Sequence, residues 1–167
     1  MKIIKFIKIL TVSSLCAASL YLCSCASNPG NSAEIKEFRS KVDSLCDGII
    51  SVNNKMNSID TSAENYVNEL TTDLEELNVL FKDFSEIDFP ADYDYLENLA
   101  DEATEYMDVA ASSYKKAFES NLSEEDFTKL YDYAGENYSR AYKRINVILT
   151  FLRGETPEGV KTEAVEE

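Results

Sequence analysis

From Ile35 to Ile59 the apolar residues of this chain recur at alternating steps of three and four: Ile35, Phe38, Val42, Leu45, Ile49, Val52, Met56 and Ile59. That period is the seam of an α-helix packed at a shallow angle on other helices, and no β-strand, with its period of two, can present it. Three further stretches repeat the pattern. Ala63, Tyr66, Val67, Leu70, Leu74, Leu77, Leu80, Phe81 and Phe84 form the second seam, and Leu96, Leu99, Ala103, Tyr106, Met107, Ala110, Tyr114 and Phe118 the third. Phe127, Leu130, Tyr131, Ala134, Tyr138, Ala141, Ile145, Ile148 and Leu152 form the fourth. Only 5 glycines and 3 prolines interrupt 167 residues, too few for the many turns of a β protein.

The boundaries follow from capping chemistry. Ser32 is a good N-cap for the first helix. Thr61 and Glu64 have the spacing of a capping box, with Asp60 and Ser62 as further caps, so a second helix is expected from there to about Phe84. The heptad phase nevertheless runs unbroken from Ile35 through Met56, Ala63 and Leu70 to Phe84. One continuous helix from 32 to 84 is the alternative, which would leave three helices in place of four. Residues 85–91 read as a loop, with Pro90 in the first turn of a third helix that runs to about Ser120. Ser123 caps the fourth, with Glu124, Glu125 and Asp126 in its first turn, and Arg153-Gly154 stops it. The expected fold is all-α: an antiparallel up-down four-helix bundle over 32–153, its helices about 23–30 residues and roughly 35–45 Å long. Alanines alternate with aromatics along the seams, so large side chains can pack opposite small ones. Residues 154–167 are expected to be a disordered acidic tail.

Ahead of the bundle, residues 1–7 are basic and free of acid. Ile9 to Leu22 is an apolar run shorter than the roughly twenty residues of a helical membrane span, and suits the core of a signal peptide. Leu22-Cys23-Ser24-Cys25 then gives a large aliphatic residue, a tolerant position, a small residue and a cysteine. In these 25 residues the chain resembles the bacterial lipoprotein precursors and their lipobox. The resemblance implies that residues 1–24 are a signal peptide, that a diacylglyceryl group joins the Cys25 thiol, and that cleavage falls between Ser24 and Cys25. Residues 25–31 then become the lipidated cysteine and a short tether with Pro29-Gly30, whose six residues after the cysteine reach on the order of 20 Å. Ala26, in place of an aspartate after the cysteine, implies outer-membrane sorting in a diderm host and otherwise a lipid anchor in the cell membrane. Without the resemblance, the same segment also admits an uncleaved anchor helix or an ordinary secretory signal.

Charge narrows the function classes. The net charge is -15, and loss of Lys2, Lys5 and Lys8 with the signal takes it to -18. A chain so acidic is suited neither to nucleic acid nor to adhesion on anionic lipid. Histidine is absent, which removes the commonest general base, the commonest transition-metal ligand and the Glu-x-x-His motif of a di-iron bundle. No catalytic set and no cofactor is expected, and the chain is read as a non-enzyme.

Between Asp60 and Asp108 there are sixteen acids and one base, Lys82. Asp94, Glu97, Asp101, Glu105 and Asp108 line one helix face, a pattern that solvation explains. Asp88, Asp92, Asp94 and Glu97 around Pro90 converge better and are the candidates for a cation site, although they lack the glycine and spacing of an EF-hand loop. Lys129, Arg140, Lys143, Arg144 and Arg153 make the fourth helix basic, as a helix beside an acidic neighbour would be. Tyr93, Tyr95, Tyr133 and Tyr142 lie off the seams and could form a binding surface. Cys46 beside Leu45 is expected to be a buried thiol, with an intermolecular disulfide as the alternative. The functional expectation is an interaction or structural module of the cell envelope, with a protein partner and a membrane attachment through the N-terminal lipid. A ligand- or cation-binding lipoprotein is the alternative.

Overall fold

The computed structural model describes residues 33–119 and 121–155. They form four helices: α1 (Ala33–Ser58), α2 (Tyr66–Ser85), α3 (Glu97–Glu119) and α4 (Glu124–Leu152). The chain breaks after Ser58, so the four-helix reading holds and the continuous first helix does not form.

The direction of each helix can be read from pairs that bridge neighbours. Glu75 and Lys82 on α2 hold Lys115 and Asp108 on α3, so seven residues forward on one helix is seven back on the other. Gly48 lies under Leu80 while Lys55 pairs with Glu76, which makes α1 and α2 antiparallel. Tyr114 reaches Gly135 while Glu102 pairs with Arg144, which does the same for α3 and α4. The result is the up-down bundle that short connections favour.

The core is continuous from end to end and is built from the predicted seams. Phe81, Leu77, Ile49, Val52, Met107 and Ile148 are wholly shielded from solvent. Small residues set the spacing. Ala100, Ala103, Ala110, Ala134 and Ala141 are fully buried along the facing sides of α3 and α4, and these two helices approach most closely. On the other side, α1 and α4 hardly meet through their backbones. Tyr138 and Tyr142 fill the wider space there, with ring centroids 4.7 Å apart. Tyr142 was expected off the seam. It is buried, because the wide gap between α1 and α4 draws the flank of α4 inside.

Several boundaries differ from those expected. Asp60 caps nothing helical: its Oδ1 accepts from Ser62 N at 2.9 Å and from Ser62 Oγ at 2.6 Å, closing a local turn. The same two hydrogen bonds hold the Asp60 carboxyl below the usual carboxylate range. A second turn follows, Tyr66 N to Ala63 O, so α2 begins at Tyr66 and the Thr61–Glu64 capping box does not form. Asx turns compete with helix starts for the same backbone groups, and here the turn wins. Pro90 likewise opens a turn, with Tyr93 N donating to Pro90 O at 2.7 Å; a 3-10 turn at Asp94–Leu96 then leads into α3. Ser123 is the N-cap of α4 and accepts from Asp126 N at 3.1 Å. Gly154 stops α4 in the left-handed region at φ 75°, with Gly154 N on Phe151 O and Glu155 N on Thr150 O. These two bonds make a Schellman motif, which favours glycine at that position.

Candidate functional site

The α2–α3 connection and the end of α4 close over the start of α1. Phe38, in the second turn of α1, packs 4.9 Å from Phe89 and stacks 5.7 Å from Tyr93. Phe89 also meets Phe84 at 5.6 Å, and Tyr95 meets Phe151 edge-on at 5.7 Å. Apolar and acidic residues alternate along this connection. Ile87, Phe89 and Tyr93 turn partly inward, while Glu86, Asp88, Asp92 and Asp94 face solvent. Arg39 on α1 donates from Nη2 to the Tyr93 hydroxyl at 3.3 Å. Tyr95 remains 55% exposed. Of the four off-seam tyrosines, the structure therefore gathers Tyr93 and Tyr95 at one end, leaves Tyr133 exposed elsewhere on α4, and buries Tyr142.

The four candidate cation ligands, Asp88, Asp92, Asp94 and Glu97, are all exposed. Among the described residues, no three acidic or cysteine side chains gather closely enough to hold a metal ion. Asp88, Asp92, Asp94 and Glu97 therefore form no such group. Of the α3 stripe, Asp108 is held: its Oδ1 accepts from Lys82 Nζ at 2.8 Å and Asn78 Nδ2 at 2.9 Å, and both bonds keep its carboxyl below the usual range.

The basic helix α4 lies beside acidic α3, and Arg144 joins the two by an ion pair. Arg144 pairs with Glu102, and Arg140 and Arg144 each sit 5.7 Å from the centre of the Tyr106 ring. Lys129 and Arg140 pair within their own helix, with Glu125 and Glu136. Exposed pairs of this kind contribute about 0–1 kcal/mol each.

Two polar features inside the bundle were not legible in the sequence. Asn53 on α1 accepts at Oδ1 from the Tyr142 hydroxyl at 3.1 Å and the Tyr138 hydroxyl at 3.3 Å, and the two hydroxyls are 3.1 Å apart. This network joins α1 to α4 where their backbones stand apart. Replacing Asn53 with Ala should cost about 1–3 kcal/mol, since it takes the acceptor from buried hydroxyls. Urea unfolding measures this, and a loss below about 0.5 kcal/mol would mean the network is not formed.

The second feature is Asp73, 9% exposed on the α1-facing side of α2. Burial raises its carboxyl above the usual range, Glu76 and Glu69 add to the rise, and Lys55 opposes it. A carboxyl raised in the folded state binds its proton more tightly there than in the unfolded chain. Its charge therefore opposes folding above the folded pKa, and that penalty disappears as pH falls through it. Asp73→Asn should raise Tm at pH 7, on the order of a few °C, with the gain shrinking toward pH 3–4. Thermal scans at both pH values check this, and a lower Tm for the variant at pH 7 contradicts it. Cys46 is buried in the core, on the flank of α1 that carries Asn53.

Ser24 and Cys25 lie outside the described residues, as does the expected tail from residue 156 onward. Among the described residues no helix is long and apolar enough to cross a membrane. Comparison with protein-family models, with curated proteins and with solved structures finds no match to this chain.

Proposed function

We propose that the chain is a lipoprotein precursor whose mature part is an acidic helical bundle held to the cell envelope through lipid on Cys25, where it serves as an interaction or structural module. The observation that carries this reading is Leu22-Cys23-Ser24-Cys25 behind a basic, then apolar, leader. The fold is consistent with it. α1 begins at Ala33, eight residues after Cys25, so the bundle starts directly behind the proposed anchor. The mature charge of -18 gives no attraction to anionic lipid, which leaves attachment to the acyl chains.

Metabolic labelling with a clickable palmitate analogue tests the anchor. Wild type and the Cys16→Ser and Cys23→Ser variants should take up label, and Cys25→Ser should take up none. Label on Cys25→Ser, or none on wild type, contradicts the reading.

A further inference from the structure

We infer that the end of the bundle bearing Tyr95 and Phe151 rests on the membrane surface, against zwitterionic lipid headgroups. This rests on the anchor proposed above. Eight residue steps separate Cys25 from Ala33 and span at most about 28 Å. α1, at 26 residues, is about 39 Å long. The tether is shorter than the bundle, and it meets the bundle at the end where Phe38 packs on Phe89 and Tyr93. That end therefore stays near the lipid.

The side chains at that end fit such a surface. Tyr95 is 55% exposed, and Phe151, partly exposed, lies against it at 5.7 Å. Tyrosine and phenylalanine bury apolar ring area at the headgroup level, and tyrosine keeps its hydroxyl wet. Among the described residues, the other exposed large apolar side chains, Ile50, Val79 and Tyr133, lie along the helices rather than at this end. Asp88, Asp92 and Asp94, exposed on the same connection as Tyr95, set the lipid preference: anionic headgroups repel them, while zwitterionic ones do not. The anchor holds the aromatic pair at high effective concentration, so a contact too weak to recruit a free protein still orients a tethered one.

The chain contains no tryptophan, so a single introduced indole reports its own surroundings. Every core residue among the described residues lies after Cys25, so the chain from residue 25 onward carries that core. This mature chain, with a maleimide lipid joined to Cys25, is placed in phosphatidylcholine vesicles that contain nitroxide-labelled lipid. The Tyr95→Trp variant should emit at shorter wavelength and be quenched several-fold more than Tyr133→Trp. Tyr133 is similarly exposed, at 51%, but stands eighteen residues, about 27 Å, along α4 from Phe151. Mixing in phosphatidylglycerol should reduce the difference. Equal quenching of the two variants overturns the inference. So does a shift that appears only in protein-containing native membranes, which would assign the surface to a protein partner. Because the lipid is attached chemically, failure here is distinct from failure of cells to acylate Cys25.

Discussion

Phe81→Ala should lower the unfolding free energy by about 3–5 kcal/mol, the cost of deleting a fully buried aromatic side chain. Phe81 has no solvent exposure, and its ring lies 5.8 Å from Tyr142, the residue that fills the gap between α1 and α4. The cavity would open at the centre of the bundle, where α1, α2 and α4 share contacts, and rigid helices could not close it. A domain of this size is stable by about 5–15 kcal/mol, so the change removes a large part of the total. Val79→Ala, two residues away but 53% exposed, should stay within about 0.5 kcal/mol of wild type. Urea unfolding with an unchanged m-value would show the contrast. Similar small losses at both positions would mean that Phe81 does not occupy the core.

The seams were readable because burial on one side of a helix leaves a period in the sequence. Seven of the eight α1 seam residues are buried, and Ile59, just past the helix end, is partly so. The Ser123 cap and the Gly154 stop were readable because each depends on one residue and its immediate neighbours. What the period could not give is how far apart the helices stand. The alanines bring α3 and α4 together, α1 is left farther from α4, and Tyr142 and Asn53 become interior for that reason alone. The start of α2 was misplaced because Asp60 and Ser62 can cap a helix or close a turn with the same atoms. The aromatic end was half legible. Its residues stand in order from Ile87 to Tyr95, but their nearness to Phe38 and Phe151 comes from the up-down topology. The candidate carboxylates around Pro90 are not gathered among the described residues, since spacing along a turn says little about how close its side chains come.

The other large effect concerns attachment. Exported behind a conventional cleavable signal and carrying Cys25→Ser, the mature chain should move from the membrane pellet to the soluble fraction almost completely. Its helical content and Tm should stay unchanged, because Cys25 precedes every core residue among the described residues. Each buried methylene of an acyl chain contributes about 0.8 kcal/mol, and two chains together hold a protein stably. The acidic bundle has no comparable attraction to replace them, and the contact at Tyr95 is too small to act without the tether. Retention of the variant in the pellet would place the attachment in the bundle itself.

The most direct measurement is the mass of the N-terminal peptide of the protein purified from membranes. The peptide should begin at Cys25, with no residue before it, and carry a diacylglyceryl group on its sulfur. A peptide that retains Ser24, or an unmodified Cys25, would contradict the proposed anchor.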